Sequence, residues 1–569
     1  MLDALRYLSA FARHGLRPLW RQRAGELTLA DVLARRVRHS PDALALELRG
    51  TTLSYRELWR ASGRALAELQ RLGARPGDVV ALVGRNSIAY VAALLGGARG
   101  GITLALVHPE LSGEPLRQAL AVAGARFALC EAELVGALKH AAPELPCAGF
   151  DADAREPFVG EPELTGGVGA VHDFALVYTS GTTGLPKACR LPHSRVLAAA
   201  CLFGAPLFDF GPHDKLLCAL PLYHGSPLML GLGTCLVTGT PLLLERRFSA
   251  SELMGVAAAS AATALLYVGD LGRMLLATPP SSADSAHALR LAVGNGMAAD
   301  VWPRFQERFG IAQVREFYAA TESPVGILNL AGRVGSVGNL PYAWLFGLKL
   351  ARLDAAGELL RDARGRLVEC GPDEPGELLV RARRSGVGVY HGYVDPSATE
   401  ARLVRDAFAP GDALFRTHDV LRRDRAGYYY FVERGGDSYR FRGENVSVTQ
   451  VERELLAIAG VQEAVVTGVE VPGHDGRAGL AALVSDSGFE VVRLAALAER
   501  LPRSALPRFV RLLPQLPRTA TLKLQRRALA DEGFDPERCA GQIWLLDGTV
   551  YRKLDRETHR DLLSGNVRL

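Results

Sequence analysis

Through residues 26–120, amphipathic stretches alternate with short apolar runs. Thr52-Leu53-Ser54-Tyr55-Arg56-Glu57-Leu58 opens a helical pattern, with Ser54 placed to cap it. Gly77-Asp78-Val79-Val80-Ala81-Leu82-Val83-Gly84 predicts a buried strand, and 88–95 a helix. The rhythm resumes with an apolar strand over 174–178, a helix near 193–204, and strands near 216–220 and 241–245. A helix over 249–260 and strands near 263–267 and 290–293 follow. Alternating β and α units predict an α/β fold, a mainly parallel sheet covered by helices. No repeat of fixed period is evident.

From about residue 367 the texture becomes β-rich. Gly376-Glu377-Leu378-Leu379-Val380-Arg381 and Gly427-Tyr428-Tyr429-Tyr430-Phe431-Val432 alternate with turns at Pro372-Asp373-Glu374-Pro375 and Asp424-Arg425-Ala426. Arg434-Gly435-Gly436-Asp437 then places two adjacent glycines after a strand, a candidate hinge. The expected division is a large domain over 1–434 and a smaller one over 435–569, hinged near 435–436.

Between 216 and 244 there is no Asp, Glu, Lys or Arg. That run would attract a membrane-span assignment, but Pro221, Pro227 and Pro241, four glycines and Tyr223-His224-Gly225-Ser226 interrupt it. A strand, a loop and a core helix explain it better. At the start, Leu2, Leu5, Leu8, Phe11, Leu16 and Trp20 alternate with Arg6, Arg13, Arg17, Arg21 and Arg23. The pattern fits a basic amphipathic helix, either packed on its own domain or lying on a membrane surface.

Composition changes this picture little. At 569 residues the chain exceeds one core, and 48% apolar with 22% charged residues describes a globular protein. A net charge of +5 with scattered basic residues excludes nucleic acid as the expected partner. The 8 cysteines form no Cys-x-x-Cys pair, which fits reduced thiols in a cytoplasmic protein.

The chemistry concentrates in Tyr178-Thr179-Ser180-Gly181-Thr182-Thr183-Gly184-Leu185-Pro186-Lys187. Two glycines let the backbone turn its N–H groups toward an anion, four hydroxyls add donors, and Lys187 adds a point charge. This suits a polyphosphate, although Leu185-Pro186 separates it from the Walker pattern. Of the 66 lysines and arginines only Lys139, Lys187, Lys215, Lys349, Lys523 and Lys553 are lysines. In that arginine-rich background Lys187 and Lys523 stand out as compact, flexible cations.

Taken in order, the phosphate loop, glycine pair and late lysine resemble the adenylate-forming (ANL) enzymes of the acyl-CoA synthetase superfamily. Gly294-Asn295-Gly296-Met297, Phe441-Arg442-Gly443-Glu444-Asn445-Val446, Pro472-Gly473-His474-Asp475-Gly476-Arg477-Ala478-Gly479 and Glu532-Gly533-Phe534-Asp535-Pro536 are similar to the fatty acid transport protein / very-long-chain acyl-CoA synthetase family. The resemblance implies a large adenylating domain of mostly parallel sheets with a small β-rich region, and a mobile α+β C-terminal domain. It implies a fatty acid–CoA ligase using ATP, Mg²⁺ and coenzyme A. A carboxylate attacks the α-phosphate, and the thiol of coenzyme A then displaces AMP.

On this resemblance Thr179, Ser180, Gly181, Thr182, Thr183, Gly184 and Lys187 hold pyrophosphate, and Glu322 ligates Mg²⁺. Tyr318 stacks on adenine, Thr321 contacts phosphate, and Gly294, Asn295 and Gly296 belong to the nucleotide site. Asp419 binds ribose, and Arg434 reaches the ribose or phosphate. Lys523 bridges the reacting carboxylate and α-phosphate before the small domain rotates, and Gly443 then lines the pantetheine tunnel. His224 falls near the acyl and thiol sites. Thr417-His418-Asp419 departs from the usual Thr-Gly-Asp, and Ala319 stands where glycine is common. If relatives use a positive φ at position 418, strain follows.

Transfer to a carrier protein, activation of another lipophilic acid such as a steroid side chain or polyketide starter, and a non-catalytic lipid-uptake role remain alternatives at this stage. The expected location is cytoplasmic, with peripheral contact at the inner membrane face through the N-terminal segment as a further option. Acyl chain length and oligomeric state are not encoded in any local pattern.

Overall fold

A computed structural model describes residues 27–162, 169–180, 186–340, 343–354, 357–385, 388–434, 438–441, 444–472, 477–518, 524–539, 541–548 and 550–564. The expected α/β architecture is present. Six strands run parallel in the order Leu44–Leu48, Leu242–Leu244, Leu216–Cys218, Ala264–Val268, Leu291–Asn295 and Gln313–Tyr318. They are nearly continuous apolar runs because both faces are covered. The chain enters the middle of this row at Leu216–Cys218, moves outward to Leu242–Leu244, then returns to the opposite side. Such a reversal of strand order opens a crevice at the carboxyl ends of the strands.

Beyond Gln313–Tyr318 the same 14-stranded sheet turns antiparallel. This half holds Pro375–Arg381, Ala413–Arg423 and Tyr428–Arg434, the β-rich texture expected after residue 367. A second sheet of 6 strands has Cys147–Phe150, Phe127–Glu131, Val79–Val83, Thr103–Val107 and Asp173–Ser180 in parallel. It ends in the antiparallel strand Pro186–Pro192.

Residues of both sheets share the largest apolar core with helix Ile88–Gly100, which is buried nearly all round. Helix Tyr55–Arg71 lies against it so closely that a Cβ on Gly96 would meet Ser62 O at 2.8 Å. Ser54 caps that neighbouring helix as its position in the sequence implies. Its hydroxyl accepts from Glu57 N, while the Glu57 carboxylate accepts from Ser54 N at 2.8 Å. Ser54→Ala is expected to remove about 1 kcal/mol of stability, measured as a lowered denaturant midpoint.

The charge-free run 216–244 resolves into strand Leu216–Cys218, a helical stretch through Pro227–Thr238, and strand Leu242–Leu244. No helix among the described residues is long and apolar enough to cross a membrane. Toward the C-terminus, a 5-stranded sheet between Val461 and Lys553 carries its own core, including Tyr439, Val451, Leu480, Phe509 and Leu562. The glycine pair at 435–436 lies outside the described residues, as do the N-terminal residues 1–26.

Candidate active site

The polyphosphate-loop candidate is flanked by two paired strands of a β-hairpin. Thr179 faces Lys187 and Ser180 faces Pro186 across the antiparallel pair Asp173–Ser180 and Pro186–Pro192. Tyr178 anchors the first strand by donating to Ala119 O at 2.6 Å. Gly181, Thr182, Thr183 and Gly184 fall outside the described residues; Lys187, the second residue of the returning strand, is described. Its ammonium sits 5.8 Å from the ring centre of Tyr393. The Tyr393 hydroxyl donates to Glu322 Oε1 at 3.0 Å, and Arg402 Nη2 lies 3.9 Å from the same oxygen. The hairpin cation and the candidate metal carboxylate, which lies in the bend after strand Gln313–Tyr318, are thus joined through one tyrosine.

Glu322 follows strand Gln313–Tyr318 through a turn in which Ser323 N donates to Ala320 O at 3.0 Å. Arg195, in helix His193–Ala199, holds that turn by donating to the carbonyls of Ser323 and Pro324. Thr321 packs against the His224 segment: a Cβ on Gly225 would stand 2.7 Å from Thr321 Oγ1. His224 precedes this contact in the chain, with its ring 4.6 Å from that of Tyr223.

Asn295 ends its strand and Gly296 turns with φ +83, a conformation that glycine adopts without strain. A Cβ on Gly269 would collide with the Gly296 carbonyl, and one on Gly294 with the backbone of Tyr267. Beneath this turn Glu316 is 3% exposed. It accepts from Met297 N at 2.6 Å and from the Tyr267 hydroxyl at 3.0 Å, both on Oε1. Burial raises its pKa to about 8.

Tyr318 donates to Asp419 Oδ2 at 2.6 Å, tying the adenine and ribose candidates together. Asp419 sits just past a bulge in strand Ala413–Arg423, where the pairing with Pro375–Arg381 slips. At that bulge Thr417 Oγ1 donates to Leu378 O at 2.7 Å and accepts from Asp419 N at 3.0 Å. Such irregularities re-aim a side chain beside a site. His418, at the centre, has φ 60, so the conformation that would suit glycine is real and the expected strain is present. Glu377 compensates in part: it accepts from His418 N at 2.9 Å and from Arg416 Nε at 3.0 Å. Burial, with Arg402 and Arg416 nearby, lowers the imidazole pKa to about 4, so it is neutral at pH 7. His418→Gly is expected to be about 1 kcal/mol more stable than His418→Ala, read from denaturant midpoints. Arg434 stands directly across the ladder from Asp419.

The structure therefore links Lys187 to Glu322 through Tyr393, Thr321 to the His224–Gly225 segment, and Tyr318 to Asp419. Lys523 and Gly443 lie outside the described residues. Tyr393, Arg402, Arg195 and Glu316 are additions for which no local spacing gives a signal; Tyr393 is 71 residues from Glu322. As a metal site the arrangement offers one carboxylate, and no trio of His, Cys, Asp or Glu forms a cage among the described residues. That fits Mg²⁺, which keeps its waters and travels with nucleotide phosphates.

The hairpin that presents Lys187, the Glu322 carboxylate joined to it through Tyr393, and the Tyr318–Asp419 pair are the arrangement expected of an adenylate-forming enzyme. The family model for AMP-binding enzymes matches residues 33–394, and that for the AMP-binding enzyme C-terminal domain matches residues 450–523. The chain belongs to the AMP-binding enzyme family, on its fatty acid transport protein / very-long-chain acyl-CoA synthetase branch. It is 36% identical to the long-chain fatty acid transport protein 1 of Bos taurus, over 96% of this chain and 89% of that protein. It is 35% identical to a medium/long-chain-fatty-acid–CoA ligase of Mycobacterium tuberculosis, over 89% of this chain and 86% of that one. Among solved structures, ATP-bound MatB from Rhodopseudomonas palustris matches with TM-score 0.74 and 25% identity, covering 89% of this chain and 99% of its own. The o-succinylbenzoate CoA synthetase of Bacillus subtilis with its acyl-adenylate matches with TM-score 0.72 and 25% identity, covering 88% and 98%.

Proposed function

We propose that this adenylate-forming ligase is a long- or very-long-chain fatty acid–CoA ligase. The observation that supports the reading is the junction of Lys187, Tyr393 and Glu322, in which the ammonium lies 5.8 Å from the tyrosine ring and the tyrosine hydroxyl donates to the carboxylate at 3.0 Å. Fatty acid relatives matched along most of the chain supply the acid class.

In the first half-reaction the fatty carboxylate displaces pyrophosphate from the α-phosphorus of ATP. Such transfers depend mainly on positioning and charge stabilisation. Lys187 and the hairpin hydroxyls and N–H groups receive the departing pyrophosphate. Tyr318 and Asp419 fix the nucleoside, and Thr321 approaches the phosphate. Glu322 would hold Mg²⁺, which supplies neutralising charge to the phosphates. Lys523, carried on the small domain over 435–569, closes on the carboxylate and α-phosphate. Rotation about 435–436 then withdraws it and brings Gly443 to the pantetheine path, while His224 stays beside the acyl carbonyl. The thiol of coenzyme A adds to that carbonyl, and AMP leaves.

The proposed setting is the cytoplasm, with the basic segment 1–24 resting on the inner membrane face. Incubation with ATP, Mg²⁺ and fatty acids of graded length, with and without coenzyme A, tests the assignment. AMP and acyl-CoA formation is the expected result. A requirement for a protein carrier, or no acid-dependent pyrophosphate, would refute it.

A further inference from the structure

We infer that Tyr393 is the positioning residue that holds Glu322 ready for metal-bound nucleotide, an inference that rests on the ligase reading above. Tyr393 is 3% exposed, and its hydroxyl donates to Glu322 Oε1 at 3.0 Å. Its own place is fixed by the phosphate hairpin. Cys189 and Tyr393 form an antiparallel bridge, Arg190 N donates to Gly392 O at 3.1 Å, and Val394 N donates to Ala188 O at 2.9 Å. Residues 392–394 therefore run as a short extra strand beside Pro186–Pro192, two positions from Lys187. Thr399 closes the arrangement: its Oγ1 accepts from Tyr393 N at 2.9 Å and contacts Tyr393 O at 3.3 Å. Gly392 turns into this segment with φ +69, and a Cβ there would collide with Thr399.

The consequence for Glu322 is directional. Among the described residues Oε1 meets the neutral Tyr393 hydroxyl at 3.0 Å and the Arg402 guanidinium at 3.9 Å. At that longer distance Arg402 is an ion-pair neighbour without a direct hydrogen bond. Remove the phenolic donor and the carboxylate is free to close on Arg402, a stronger charge-assisted pair that competes with a metal. Tyr393 keeps the carboxylate away from that trap and ties its position to the strand that presents Lys187. Partners that orient a metal ligand commonly change metal affinity 10–100-fold when removed.

The test compares wild type with Tyr393→Phe. Binding of Mn²⁺ with a non-hydrolysable ATP analogue is followed by loss of the free Mn²⁺ electron paramagnetic resonance signal. AMP binding without metal and the melting midpoint are measured alongside. Mn²⁺ affinity is expected to fall about tenfold, with metal-free AMP binding and melting unchanged, and excess Mg²⁺ is expected to restore much of the rate. Unchanged Mn²⁺ affinity, or an equal loss of metal-free AMP binding, would overturn the inference. Should Tyr393→Phe fail to fold, a fluorinated tyrosine at position 393 changes the donor strength and keeps the shape. A shifted Mn²⁺ affinity then supports the inference, and an unshifted one sinks it. Wild type that binds Mn²⁺–nucleotide yet releases no pyrophosphate with any fatty acid would reject the ligase reading and leave the Tyr393 comparison intact.

Discussion

Lys523→Ala is expected to slow acid-dependent pyrophosphate release by about 10²–10³-fold while leaving thioester formation from preformed acyl-adenylate within a few-fold of wild type. The first step brings two anions together, a carboxylate and a polyphosphate, so a cation between them acts on the transition state directly. In the second step a thiol adds to the uncharged acyl carbonyl of the mixed anhydride and AMP leaves, and the ammonium, withdrawn with its domain, no longer acts on the reacting centre. Lys523→Arg is expected to recover little, because a planar, longer guanidinium does not replace a compact ammonium between two oxygens. Single-turnover assays of each half-reaction check this. Equal losses in both would contradict a domain that rotates between them.

The second large effect belongs to Glu316. Glu316→Ala is expected to destabilise the protein by about 3 kcal/mol or more, because the Tyr267 hydroxyl and Met297 N–H lose their acceptor inside the core. The Gly294–Met297 turn loosens with it, so nucleotide affinity should fall as well. Glu316→Gln keeps a neutral acceptor and is expected to stay near wild type. The pH dependence separates the two variants further. Burial raises this carboxyl from 4.5 to about 8, so the folded chain binds the proton more tightly than the unfolded chain. Its contribution is complete below about pH 4.5, declines between there and 8, and is gone above. Wild type should therefore lose denaturant resistance across that window by more than Glu316→Gln does. Parallel pH curves for the two would remove the claim.

The order of elements was legible because their periodicities are strong. The capped helix at Ser54, the buried strand before the phosphate hairpin and the break-up of 216–244 all follow from local pattern. Candidate site residues stood out where they sit in one contiguous string, as with Thr179 to Lys187 or Tyr318 to Glu322. They did not stand out where strands from distant parts of the chain meet. Tyr393 reaches Glu322 only because 392–394 lies beside the hairpin, and Glu316 becomes a latch only because Tyr267 belongs to a strand two places away in the row. Position 418 was partly legible: the departure from glycine was visible, but the bulge and the Glu377 partner were not.

The pairing of Thr179 with Lys187 limits how this enzyme can change in length. Successive side chains on a strand point to opposite faces, so one residue added or deleted between Lys187 and Pro192 would turn the ammonium to the wrong side. Natural insertions and deletions near here should therefore fall within 181–185, between the two strands, or come in pairs along the strand. A library of single-codon deletions, sorted for growth on fatty acid, would show that asymmetry as a sharp boundary at position 187.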